Sequence, residues 1–491
     1  MSTTDENASL SLYRRLMAFP LKYKVLAFAF FALAIGWGLY VSPFQVDLPV
    51  ERDPVAVDAI PNIGENQQIV FTKFPGGSPQ DVEDQVTYPL STALQGIPKI
   101  KEIRSRSMPG FSIIYLVFKE DAGFYWTRSR IAERLASLPQ GTLPEGVTPS
   151  LGPDATPLGQ IYWYTLEGRD SEGNPTGGWG LQEKRTVQDY YVRYALAAAD
   201  GVAEVASVGG FVREYQVEVD PNLLRARDVT LGEVERAVRK STKEVGSGTV
   251  EITGVEYLVR GIGFVEKTEE IAQAVIKRVD GTPIRVKDIG QVTEGPAPRR
   301  GALTRGGVES AGGIVVAREG ANPREVIESV KKEIEKIEPS LPKRTLEDGT
   351  TSQLEIVPFY DRTDLIDRTV GTLSTTLYQQ ALVVVLVVLL MMLHLRSSVL
   401  ISILLPMAVL MAFVGMKYSG VTANVVALAG IAIAIGTMVD LGIIITENIV
   451  QHLEERDDDK SAALAVRDGA AEVAPAILTA ITVTIISILP I

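Results

Sequence analysis

Asn424-Val-Val-Ala-Leu-Ala-Gly-Ile-Ala-Ile-Ala-Ile-Gly-Thr-Met-Val-Asp440-Leu-Gly-Ile-Ile-Ile-Thr-Glu447-Asn448 is the stretch that decides the reading of this 491-residue chain. From Val425 to Val439 it carries no charge, and Asp440 then stands among further apolar residues. A carboxylate placed in hydrocarbon costs several kcal/mol. Such residues therefore face a bundle interior and mark pathways for protons, ions or substrates. Asp440 is the first candidate for a proton relay. Glu447, two helical turns on and on the same face, either extends that relay toward water or is an interfacial acid at a helix end.

Working outward, four more apolar segments frame a long polar region. Val25–Val41 follows Arg14, Arg15, Lys22 and Lys24, is about long enough to span a bilayer, and lacks a convincing cleavage site. It reads as an uncleaved first transmembrane helix. Leu377–Leu395, Val399–Met416 and Ala474–Ile491 are the others, with Arg396-Ser397-Ser398 as a short turn. The basic flank before the first helix places that flank in the cytoplasm, so the polar region lies outside and Arg396 returns inside. Lys417 falls outside, against the rule. The expected organisation is a cytoplasmic segment 1–20, a first membrane helix 21–42, an extracytoplasmic region 43–370, and membrane helices two to five over 371–491.

The net charge of −12 argues against a nucleic-acid partner. With no cysteine and only His394 and His452, thiolate and His-rich metal sites are excluded. The extracytoplasmic region alternates strand and helix signals. Gln68–Lys73 reads as a strand. Ser78–Leu94 reads as a helix with Ser78 as cap, Pro79 at the first position and Asp81 three residues after the cap. Ile100–Arg106 and Phe111–Phe118 form a hairpin at Met108-Pro109-Gly110, and a helix over 122–138 follows. This is the split βαβ plan. A second copy is expected in Ile161–Leu166, Leu181–Ala199, Ala203–Val208, Arg213–Val219 and Leu231–Ser241. A third, partial copy is expected in Gly313–Arg318, Pro323–Ile337 and Gln353–Tyr360. Segments 167–180 and 341–352 read as loops. The fold class is thus a membrane α-helical bundle plus a large extracytoplasmic α+β region of repeated split βαβ, ferredoxin-like subdomains.

This layout resembles the first half of an RND-superfamily exporter. Asp47-Leu-Pro-Val, Val57-Asp-Ala-Ile-Pro, Gln85-Val-Thr-Tyr-Pro-Leu, Tyr125-Trp-Thr-Arg-Ser-Arg, Leu151-Gly-Pro-Asp-Ala-Thr and Val202-Ala-Glu-Val-Ala-Ser-Val-Gly-Gly are similar to the heavy-metal-efflux branch. So are Glu214-Tyr-Gln-Val, Val219-Asp-Pro and the segment Gly430–Asp440, and copper/silver-type pumps are the nearest group. The resemblance implies a proton antiporter in the inner membrane with a periplasmic region, not an enzyme. It implies a homotrimer working with a periplasmic adaptor protein and an outer-membrane channel, in contact with membrane lipid. No cofactor is implied; a metal ion is the transported substrate. Such pumps have two halves of six membrane helices, so the chain reads as an N-terminal portion of a longer pump, or as a half-transporter that pairs with a partner.

Two positions refine the resemblance. Multidrug members carry paired Asp residues in this helix, whereas Leu441 follows Asp440 here, as in the metal branch. Copper/silver pumps carry extra methionines along it, where this chain has Val426 and Ile445. Only Met438 matches, and it is either a thioether metal ligand or packing. In the family the acid pairs with a Lys and a further acid from the second half. Multidrug or small-molecule export, and a non-transporting membrane assembly component, are the competing functions.

Overall fold

The computed structural model describes residues 3–488 except 45, 48, 243–244, 254, 262–263, 300, 393–394 and 457–460. The first α+β unit forms where the sequence places it. Strands Gln67–Lys73, Ile100–Met108, Phe111–Phe118 and Pro149–Leu151 make one antiparallel sheet in the order second–third–first–fourth. Alternate residues of the first strand are buried, as a sheet covered on one face requires. Val70, Ile114 and Leu116 meet Val86, Leu90, Leu94 and Ile131 from the two helices above. Ser78 closes a capping box with Asp81: its Oγ accepts from the Asp81 amide at 3.2 Å, and its own amide donates to the carboxylate at 2.9 Å. The Ser78 hydroxyl also donates to that carboxylate at 2.5 Å, and this bond together with the one from the Ser78 amide holds the Asp81 carboxyl below its usual range.

The second and third expected copies are one unit. Strands Gln160–Arg169, Val202–Gly209, Val308–Ala317 and Thr351–Asp361 share a sheet, with Gly313 opposite Tyr164, Ile314 opposite Ala206, and Leu354 opposite Gly168. Its strand order repeats that of the first unit. Arg213–Val219 does not join it. That strand pairs with Gly290–Pro296 and opens an insertion containing helix Leu231–Ser241, two β-hairpins and a small core of Val229, Val234, Ile284 and Ile289. The expected loops are shorter than read: Pro175–Thr176 and Lys343–Thr345 pair onto the main strands.

Both units share a feature absent from the sequence reading. Their first helices widen into a π turn, at Glu83–Thr87 and Gln188–Val192. Each turn lowers a polar side chain onto the sheet. Buried Thr87 bonds Ser107 and Ser112, both at 2.8 Å, and buried Gln188 accepts from the Tyr164 hydroxyl at 3.1 Å.

The helical part contains Lys24–Val41, Arg362–Met392, Leu395–Ser419, Val425–Glu454 and Ala462–Ile488. Among the described residues, Lys24–Val41, Val425–Glu454 and Ala462–Ile488 are long and apolar enough to cross a membrane. Arg396–Ser398 belongs to the first turn of Leu395–Ser419 rather than to a turn between helices; residues 393–394 lie outside the described residues. Residues 3–22 form a helix, and Arg14 pairs with Asp468 of the last helix at 3.3 Å.

The α+β and helical parts are joined by short, charged links. Arg52 closes the end of the first apolar helix, donating to Leu39 O at 3.0 Å and Phe44 O at 2.6 Å. Lys417, the exception to the charge rule, pairs with Asp53 and donates to Pro54 O at 3.1 Å. Segment 55–58 bridges to Ala423, whose amide donates to Ala56 O at 2.8 Å. Strand Thr351–Asp361 runs directly into helix Arg362–Met392. There Arg362, 2% exposed, pairs with Asp58 at 2.8 Å and donates to Leu158 O. Lys331–Asp361 and Arg324–Asp367 pairs flank it.

Candidate membrane-embedded site

The helix bearing Asp440 starts where Asn424 accepts the Ala427 amide at 3.0 Å. One side of it is packed. Leu428, Ile431 and Ile435 are buried against Leu405, Val409 and Phe413 of the preceding helix. Asp440 and Glu447 lie on the other side. Both are exposed, and neither has a hydrogen-bond or ion-pair partner among the described residues. The structure thus brings these two acids to one face of the helix.

Met438 is not part of this face. At about 100° per residue it projects about 200° from Asp440. It is half-buried against the Leu405–Phe413 cluster and shares a cavity of about 180 Å³ with Met407. Asn448 also departs from the acids. Its amide donates to Gly469 O at 2.7 Å, fastening this helix to the last one.

Ala429, Gly430, Ala432, Ala434 and Gly436 are small residues of the kind that lets membrane helices approach. Among the described residues, Gly430 and Gly436 instead have nothing within 4 Å of where a Cβ would stand. The close approaches occur at Gly38, whose Cβ would meet Leu410 Cβ at 2.5 Å, and at Gly469, whose Cβ would meet Asn448 O at 3.0 Å. Gly469→Leu should lower the stability of the complete protein by about 1–3 kcal/mol through overpacking. A melting curve in detergent indistinguishable from the parent would contradict this packing.

A cleft of about 690 Å³ lies in the α+β region beside Asn62, Glu65, Lys101, Asp121 and Glu319. Of its charges, Lys101 pairs with Glu65 and Asp121 with Lys99 just outside the cleft, each at 3.0 Å, and Glu319 accepts from the Asn62 amide at 2.8 Å. Among the described residues no group of three or more His, Cys, Asp or Glu is arranged to hold a metal ion.

The chain thus joins a bundle of apolar helices, one of them bearing two acids on one face, to two-layer α+β units set between Lys24–Val41 and Arg362–Met392. Residues 51–491 match the AcrB/AcrD/AcrF family, and the chain belongs to it. It is 40% identical over 445 residues to the cation efflux system protein CusA of Escherichia coli, covering 89% of this chain and 41% of that protein. It is 31% identical over 444 residues to the cobalt-zinc-cadmium resistance protein CzcA of Cupriavidus metallidurans, covering 90% and 40%. A crystal structure of a heavy metal efflux pump superposes with a TM-score of 0.79 at 28% identity, covering 97% of this chain and 44% of that one. The chain therefore spans about two fifths of the length of the curated relatives it matches.

Proposed function

We infer that this chain is part of a proton-driven exporter of metal cations. The observation that carries the reading is Asp440: an acid midway along an apolar helix, on the face turned away from the packed one, in a chain 40% identical to a cation efflux protein. A carboxylate there alternates between holding a proton and pairing with a cation, and each form favours a different helix arrangement. Glu447, nearer the cytoplasmic end, passes the proton on toward water. The metal ion is the substrate and no resident cofactor is needed. Met438, packed with Met407 away from the acids, acts in packing first; a thioether contact to a soft cation is its second role.

The two α+β units adopt the ferredoxin-like plan, supported by their common strand order. They lie in the periplasm, and the helices lie in the inner membrane in contact with lipid. The units assemble as a homotrimer and dock an adaptor protein and an outer-membrane channel. The topology is tested with single cysteines and a membrane-impermeant maleimide on intact cells. Position 170 should label and position 460 should not; the reverse would invert the orientation. Glu447→Gln should reduce metal export less than a change at Asp440, because Glu447 has water close by. Equal losses in a dose–growth assay would make the two acids a single unit.

A further inference from the structure

The helix Arg362–Met392 carries polar residues at helical spacing just where its apolar run begins: Thr369, Thr372, Thr376, then Gln379 and Gln380. In a membrane-spanning helix such residues are costly and mark a pathway or an interface. Here they border a groove of about 330 Å³ between this helix and the Asp440 helix, lined by Thr369, Thr372 and Thr376 on one wall and Leu428, Ala429 and Ala432 on the other. Arg368 sits at its outer end, the end nearest the α+β units.

Both helices run from that end inward, so the groove can be followed downward on each. On one wall Gln380 lies one turn below Thr376, and its side-chain oxygen is buried without a partner. On the other, Gly436 lies one turn below Ala432, with no described residue within 4 Å of where its Cβ would stand. Asp440 is one further turn down, about 12 Å along the axis from Ala432. At about 100° per residue, Ala429, Gly436, Asp440 and Glu447 project within about 40° of one another. Small side chains thus line the wall above the acid, while the facing helix supplies the Thr376 hydroxyl and the unpartnered Gln380 amide oxygen; Thr369 and Thr372 already donate to Leu365 O and Arg368 O, at 2.9 and 2.8 Å, and can only accept from water.

We propose that this groove is a water-filled access path that delivers protons from the outer side to Asp440, with Thr376 and Gln380 as positioning residues for the water. It rests on Asp440 being the titrating acid. A hydronium ion at the mouth gives its proton to the water chain, and the last water gives a proton to the Asp440 carboxylate. No other bond changes. Water is retained because hydroxyl and amide groups satisfy it, which apolar walls alone would not do.

The test uses the complete protein, with cysteine at 376, 380 or 378. Tyr378 is 71% exposed and lies off the groove, on the opposite side of its helix. A small membrane-impermeant cationic thiol reagent added from outside should modify 376 and 380 but not 378. Modification at 378 alone would overturn the path. In proteoliposomes, Thr376→Val with Gln380→Leu should slow metal-driven proton flux about tenfold, with partial recovery as the outer side is acidified and with unchanged metal affinity. Unchanged flux and pH profile in this double variant, with Asp440→Asn inactive, would place the path elsewhere and leave the role of Asp440 standing. Normal flux in Asp440→Asn would overturn both.

Discussion

Bacteria that need the complete protein to grow in toxic metal should lose that growth when Asp440 becomes Asn, falling to the level of a strain lacking the protein. Expression and assembly should stay near normal. Asn keeps the size of the side chain and much of its hydrogen bonding, but it cannot alternate between a charged and a neutral form. The change also removes a carboxylate costing about 2.5–3.5 kcal/mol in an apolar span, so the variant should fold at least as well as the parent. Stability retained with export lost is the signature of an acid kept for function. If Asp440→Asn cells kept full resistance to every soft and divalent metal tested, Asp440 would be a structural acid.

The second large effect is expected at the joint between the α+β units and the helices. Arg362 is almost completely buried, its charge opposed by Asp58 at 2.8 Å. Asp58→Ala leaves that permanent charge without its counter-ion and should cost about 3–5 kcal/mol. The reciprocal change is gentler. Burial pushes the Asp58 carboxyl above its ordinary range, the nearby Arg362 charge pulling it back. In Arg362→Met the carboxyl can therefore escape its charge by taking up a proton. A carboxyl whose pKa is raised in the fold binds protons more tightly folded than unfolded, so folded stability rises as pH falls through that raised pKa. Arg362→Met should thus recover stability on mild acidification, and Asp58→Ala should not. Parallel pH dependences of melting temperature in the two variants would contradict this account of the pair.

Local signals in the sequence were sufficient for local structure. Ser78, Pro79 and Asp81 announced a helix start because capping is settled within a few residues. Leu231–Ser241 and Pro323–Ile337 begin and end where their caps and apolar spacing require. Non-local pairing was not legible. Arg213–Val219 has the same alternating pattern as a strand of the main sheet, and nothing in it says that its partner is Gly290–Pro296. Val308–Ala317 belongs to the sheet of Gln160–Arg169 because a whole insertion is looped out between them, which periodicity cannot register.

The candidate site divides in the same way. Asp440 and Glu447 were legible because a charge in an apolar run is conspicuous. Met438 was read by its position in the helix, and the direction of its side chain then placed it with Met407. Arg362 was overlooked because a charge at the start of an apolar helix is commonplace, and Asp58 is distant in sequence. Thr376, Gln379 and Gln380 blended into the start of a hydrophobic segment. Their common face was available from the sequence, but the facing Ala429, Ala432 and Gly436 come from another helix, and only the fold brings the two walls together.

The central claim is that metal export is coupled to protonation of Asp440. It is tested most directly with the complete protein in proteoliposomes that enclose a pH-sensitive dye. Adding metal ion should start proton movement in the parent protein and none in Asp440→Asn, with equal amounts of protein incorporated. Metal-dependent proton movement that persists in Asp440→Asn would contradict the account.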